Sequence, residues 1–396
     1  MYVNTHIHTP FSFSSFDSIE QAILQAKKEN VAALGINDFN TIDGHNEFAL
    51  RCGEYGIYPL FNIEFITLHE EDKLKGLRWN DPANPGIMYF IGKALNYPVS
   101  FNKDSKNLLA SLWKGTQDRI WKMIHNLNDI LSSHKLDVQI SYTEIRNHFA
   151  TQAVRERHLA KALFVAFQNK WLESSVRLEK YRSLFNDPTF NADVADSVSM
   201  QNEIRNHLLK AGKPAYAEEK FDAFLRLHEA KTIVLKAGGI PCYPFLLDSS
   251  CEMTENEKNI SSLYQKLLDA EIYAVEFISN RVDFDRLKMY ARFFKEKGFC
   301  VTFGTEHNTP GKISLIPGCA GGVQFDAELS KMAFEGACIH AAHQELHKQK
   351  LSGFIDEYGK RLVPQNRIRD FMRTGEDAIK KSTGKLFVNP SKYSYS

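Results

Sequence analysis

Tyr2-Val3-Asn4-Thr5-His6-Ile7-His8-Thr9-Pro10 opens the chain with strand-forming residues that end in a histidine pair. Along an extended strand the side chains alternate faces, so His6 and His8 point the same way, together with Tyr2 and Asn4. Val3 and Ile7 point the other way. Two imidazoles on one face at the carboxyl end of a strand form a rigid two-nitrogen claw for a divalent metal. A lone His-x-His is more often a solvated strand end, so the rest of the chain has to decide.

Moving outward, Asp17 or Ser18 caps a helix to about Asn30, with Ile19, Ala22, Ile23 and Ala26 as its apolar stripe. Val31–Ile36 is fully apolar, as expected of a strand covered on both faces, and runs into Asn37-Asp38-Phe39-Asn40-Thr41. A helix from about Asp43 to Tyr55 and a strand Ile57–Ile63 ending at Glu64 follow. This βαβ rhythm predicts a parallel sheet or barrel.

The rhythm breaks over residues 70–104, which hold turns and one strand, Ile87–Ile91. From about 107 to 237 only helical patterns appear, the last of them over Ala217–Ala237. Strand and helix alternate again from Gly238-Gly-Ile-Pro-Cys-Tyr243-Pro244. Strands at 272–278 and 299–303 and helices at 256–270 and 283–297 lead into Gly304-Thr-Glu306-His307-Asn308. One or two more helices are expected from about Ala327 to Leu351. The expected division is residues 1–104 as the first part of a barrel, 105–237 as a helical insertion over its mouth, and 238–396 as the rest of the barrel with tail helices. In parallel βα barrels active-site groups sit at the carboxyl ends of strands. Those ends here carry His6 and His8, Asp38, Glu64, Tyr243, Glu276, and Glu306 with His307.

Composition narrows the function. With 49 Lys and Arg against 48 Asp and Glu, the net charge of +1 argues against a general nucleic-acid or membrane-surface binder. The six cysteines are widely spaced with no Cys-x-x-Cys pair, and read as buried thiols of a reducing compartment. No charged-then-apolar leader and no long apolar run is found, so a soluble, cytoplasmic protein is expected.

Five stretches together resemble the PHP family, the polymerase and histidinol phosphatase superfamily of metal-dependent phosphoesterases. They are Thr5-His-Ile-His-Thr9, Ile36-Asn-Asp-Phe-Asn-Thr-Ile-Asp-Gly44, Asn62-Ile-Glu-Phe65, Gly239-Ile-Pro-Cys-Tyr-Pro244 and Gly304-Thr-Glu-His-Asn308. Arg157-His-Leu-Ala-Lys-Ala-Leu163 is similar to a family segment that helps hold substrate phosphate. The resemblance implies an α/β fold, a distorted (β/α)7 TIM-like barrel carrying up to three metals. Carried over residue by residue, it gives one complete ligand set: His6, His8, Glu64 and Glu306. Phe39, Tyr89 and Tyr243 stand where the family has ligand histidines, and the early loop aspartate is matched by Phe13, or by Asp17 only with an insertion. A one-metal variant holding Zn, Mn or Fe is therefore expected.

Other residues keep more than one reading. His307 serves as ligand, as general base, or only as a loop hydrogen-bonder. Asp38 orients a ligand imidazole or forms an Asx turn. Tyr89 and Tyr243 donate to a developing oxyanion or simply fill vacated ligand space. Arg155, Arg157 and His158 suit an anionic substrate, or form a solvated helical turn. His340, His343 and His347 share a helix face and have metal spacing without an acidic partner. The function expected is hydrolysis of a small anionic ester, with a phosphoester favoured by the resemblance. Lactone or amide hydrolysis, or a lyase step on a sugar-derived metabolite, is the alternative; a non-catalytic binding barrel is the alternative of another class.

Overall fold

A computed structural model describes residues 1–218, 223–249 and 251–384. Its seven strands are β1 (Tyr2–Ile7), β2 (Val31–Phe39), β3 (Tyr58–Leu68), β4 (Ile87–Lys93), β5 (Ile240–Phe245), β6 (Ala274–Ile278) and β7 (Cys300–Gly304). They are hydrogen-bonded in chain order. All neighbours are parallel except β4, which is antiparallel to both β3 and β5. The ring closes at its mouth, where Ile7 bridges Glu306 and the His8 N–H donates to the Glu306 carbonyl at 2.8 Å. This is the distorted seven-stranded α/β barrel that the motifs implied.

Residues 69–86 hold only a five-residue helix, Glu70–Leu74, which is too short to carry the chain back along the barrel, so β4 returns antiparallel to β3. Asn80 fixes its position, donating to the carbonyls of Tyr89 (3.0 Å) and Pro244 (2.7 Å) and so tying β4 to β5.

Period-two alternation builds the barrel interior in layers. Ile91, Cys242, Ala274 and Cys300 form an apolar layer. Two residues further along β6 and β7, Glu276 and Thr302 form a polar layer in register with each other. His6 sits against β7 because Gly304 has no side chain; a Cβ there would lie 2.2 Å from the His6 Cβ.

The residues between β4 and β5 are helical, beginning with Lys103–Ser133. Ile120, Leu127, Leu163, Phe167, Tyr181 and Leu208 belong to a core separate from that of the barrel. The last helix of the stretch is shorter than predicted, Leu227–Lys236, and residues 219–222 of the predicted span lie outside the described ones. Its Ala230, Ile233 and Val234 join the barrel core.

A final helix, Ile368–Gly384, was not predicted. It packs on the helix Ala327–Lys348, where a Cβ at Gly375 would lie 1.9 Å from the Cys338 carbonyl. No cysteine among the described residues is in a disulfide; Cys251 is exposed, against expectation, and the other five are buried. No helix among the described residues is long and apolar enough to cross a membrane.

Candidate metal centre

β1 carries His6 and His8 to the barrel mouth, and β3 brings Glu64 opposite them. His6 Nε2 and His8 Nε2 are 3.3 Å apart, and Glu64 Oε2 lies 3.4 Å from the first and 3.2 Å from the second. Metal bonds of about 2.0–2.1 Å at a tetrahedral angle separate neighbouring ligand atoms by about 3.3–3.4 Å. The three atoms thus form one face of a tetrahedron sized for a divalent ion.

Both imidazoles are also held in the right tautomer. His6 Nδ1–H donates to Glu276 Oε2 at 2.7 Å. Ser12 Oγ donates to Asp38 Oδ1 at 2.6 Å, so it accepts from His8 Nδ1–H at 3.1 Å. Each ring therefore turns an Nε2 lone pair toward the shared point, oriented by a carboxylate directly or through one hydroxyl.

The charges favour a cation. Two buried carboxylates, Glu64 and Glu276, face one buried ammonium, Lys93, which lies 2.7 Å from Glu276 Oε2. Burial alone would push the Glu64 carboxyl up, but hydrogen bonds and charge from His6 and His8 outweigh it and bring it to about 2. Burial likewise opposes charging of His6, yet Glu276 and Glu64 raise it to about 9. Without a metal the centre takes up a proton. The donor set fits a divalent ion.

Glu306 does not join the three. Just beyond β7 stand two consecutive non-glycine residues with left-handed backbone, Glu306 (φ 66°) and His307 (φ 56°), and the Glu306 carboxylate pairs with Arg281. His307 is no free base either: Nδ1 is 2.9 Å from Thr305 Oγ1, Nε2 is 3.1 Å from the Ile313 carbonyl, and burial lowers its pKa to about 4. Tyr243 faces away from the centre. Alternation along β5 sends it outward with Phe245, and its hydroxyl donates to Glu257 at 3.4 Å. Asp38 accepts from the Thr9 N–H and Oγ1–H as well as from Ser12, which makes it an orienting group.

Phe39 stacks on His8 with ring centroids 4.7 Å apart, and Tyr89 lies 6.2 Å beyond Phe39. Asp17 is exposed. His158 Nδ1 accepts the Arg155 N–H at 2.9 Å, and its ring meets Phe13 edge-on, so it locks a helix start. Arg155 donates to the Phe39 carbonyl at 3.1 Å, and the Arg157 guanidinium lies 5.8 Å from the Phe13 ring. These contacts seat the start of the helix Glu156–Lys170 on the loops after β1 and β2. His343 and His347 bond Gly238 and Asn96, and His340 is buried apart from any acidic ligand group.

Sequence reasoning gave no role to Glu276, Lys93, Ser12, Asn37 or Arg281. Glu276 was visible as an acid at a strand end, and Lys93 as a charge closing an apolar run. Ser12, Asn37 and Arg281 carried no signal of their own.

The geometry defines a class: an α/β barrel with a buried two-histidine, one-carboxylate centre able to bind a metal ion, the only such group among the described residues. The PHP domain family model matches residues 4–197, which hold the histidine pair and Glu64. No curated protein matches it. Among solved structures it is similar to one named for a metal-dependent phosphoesterase of Bifidobacterium adolescentis, with TM-score 0.53, 16% identity, and coverage of 84% of this chain and 96% of that one. It is also similar to an amidohydrolase from Chromobacterium violaceum with bound sulfate and no metal, with TM-score 0.55, 15% identity, and the same coverages. At these identities the likeness is one of fold.

Proposed function

We propose that the protein is a metal-dependent hydrolase in which His6, His8 and Glu64 hold one divalent ion, and that it cleaves a small anionic ester. The observation that carries this is the set of three donor atoms at 3.2–3.4 Å, with both imidazoles fixed in the ligating tautomer. Such an ion, when bound, supplies a Lewis acid that acidifies water and polarises a substrate oxygen.

The chain's own residues supply binding and exclusion of water. Phe39 covers His8, with their rings stacked. Arg157 provides charge: burial first, then Arg205, push its guanidinium down to about 9, which leaves it cationic at neutral pH, and the Glu306 and Arg281 charges also act on it. Arg157 Nη1 is buried without a hydrogen-bond partner, as suits a group that meets a substrate anion. Tyr89, near Phe39, is the hydroxyl available to a substrate oxygen; burial first, then the charges of Asp81, Glu64 and Glu306, raise its pKa, so it stays a donor. His158 and Tyr243 are committed elsewhere, and the proposal does not use them.

The match of residues 4–197 to the PHP domain favours a phosphoester over a lactone or amide. The test is elemental analysis of untagged protein together with hydrolysis assays on phosphate monoesters, carboxylate esters, lactones and amides. One ion per chain and metal-dependent turnover of a phosphoester support the reading. Turnover restricted to amides or lactones moves the substrate class, and a loaded protein inert on all four is a binding barrel.

A further inference from the structure

The side-chain amide of Asn37, wholly buried, reaches the same point as the three ligand atoms. Its Nδ2 lies 2.9 Å from His6 Nε2 and 3.0 Å from Glu64 Oε2. Its Oδ1 is buried with no hydrogen-bond partner. We infer that Asn37 Oδ1 is a ligand of the metal, completing a set of four protein donors with His6, His8 and Glu64. The inference rests on the metal-centre reading above.

The chemistry turns on what the amide meets. Without an ion, the amide N–H satisfies the Glu64 Oε2 lone pair and lies against His6 Nε2, whose lone pair is freed when the centre gives up its proton. An ion takes those lone pairs for itself, and an N–H aimed at a cation is then repelled. A half-turn about Cβ–Cγ exchanges two ends of nearly equal size, so the oxygen comes to the place the nitrogen held.

Backbone adjustment is not available as an alternative. Asn37 lies in β2, in register with Asn62 of β3, and two residues before Phe39, which pairs with Glu64. The Asn62 side chain is itself fixed, donating to the Thr5 carbonyl at 3.1 Å and accepting from the Ala94 N–H at 3.1 Å. Glu306 leaves the fourth ligand position open by pairing with Arg281, and the Asn37 amide, 2.9 Å from His6 Nε2, offers an uncharged oxygen to fill it. A neutral amide there also keeps the set at one negative charge, from Glu64.

The test uses the full chain and cobalt(II) as probe, followed by visible absorption and equilibrium titration. Asn37→Ala should weaken cobalt binding by at least about tenfold and alter the d–d bands, while Asn37→Asp, which puts an oxygen at the same place, should bind at least as tightly as wild type. Asn37→Ala binding as tightly as wild type with an unchanged spectrum overturns the inference. If Asn37→Ala does not fold, judged by circular dichroism, a crystal structure of the cobalt-loaded wild type decides. Oδ1 at bonding distance supports the inference; Oδ1 still turned away overturns it. Wild type that binds no cobalt, or binding indifferent to His8→Ala, brings down the metal centre itself and this inference with it. Loss on His8→Ala without loss on Asn37→Ala brings down only this inference.

Discussion

Lys93 Nζ lies 2.7 Å from Glu276 Oε2, with both side chains wholly buried directly beneath His6. Glu276 also accepts from Thr5 Oγ1 at 2.6 Å, and Lys93 donates to the Thr5 carbonyl at 2.9 Å. The pair is therefore hydrogen-bonded as well as charge-matched, which a buried ion pair needs if it is not to cost more in desolvation than it returns. Its second task is to hold the His6 ring.

Removing one partner separates the two tasks. Glu276→Gln strands a buried ammonium and should destabilise the protein by about 3–5 kcal/mol. The double variant Lys93→Met/Glu276→Gln leaves no stranded charge and should recover most of that loss in urea denaturation. Its metal affinity should stay about 10–100-fold below wild type, because a neutral amide no longer fixes and polarises His6. Wild-type affinity in the double variant would show that Glu276 only balances Lys93.

The barrel was legible because a period-two claw, apolar strands and amphipathic helices all follow from local sequence. His6, His8 and Glu64 were legible for the same reason, as strand ends on one face. Glu306 was not: its direction depends on two left-handed residues and on Arg281, which lies 25 positions away in the chain. Tyr243 went wrong through parity, since donating to an oxyanion at the centre required it to face inward and β5 turns Cys242 inward instead. Asn37 and Ser12 act only through partners that the fold brings to them. The helix Ile368–Gly384 escaped notice because its apolar positions are few and charged residues separate them.

If Arg157 meets the substrate's anionic group in both ground and transition state, Arg157→Ala should raise KM much more than it lowers kcat. The effect should shrink for a substrate analogue without the charge. Equal losses in kcat and kcat/KM would place Arg157 in the chemical step, and no change in either would leave it as packing against Phe13.

Glu257 gives the stability profile an alkaline slope. Burial raises its carboxyl to about 8, although hydrogen bonds from Tyr243 and from the Leu246 and Leu247 backbone pull the other way. The folded state thus keeps a proton that the unfolded chain releases near the ordinary glutamate value. Stability from this group is full below that value and is lost as pH rises through about 8. Glu257→Gln should abolish the loss, so that the gap in unfolding free energy between pH 5 and pH 8 narrows. An unchanged gap would mean that Glu257 is ionised in the fold.

The acid side belongs to buried histidines. Burial, then the Lys93 charge, push His340 down to about 3, while Glu276 pulls weakly upward. His343 and His158 are likewise held to about 3, and His45 and His307 to about 4, chiefly by burial. Below the ordinary histidine value the unfolded chain takes up protons that the folded chain refuses. Stability from each group is therefore full above that value and is lost as pH falls toward the folded value, by up to about 1.4 kcal/mol per pH unit per group. His340 is the cleanest of the five to remove, since neither ring nitrogen has a hydrogen-bond partner. His340→Leu fills the site with an apolar side chain and should leave the protein at least as stable at pH 7, because no hydrogen bond is lost and a buried polar ring is gone. Between pH 6.5 and 4.5 its unfolding free energy should fall less steeply than that of wild type, by about one proton's share. Urea denaturation of both proteins at several pH values measures this directly. Parallel curves would mean that His340 is protonated in the fold and that an acceptor stands beside it.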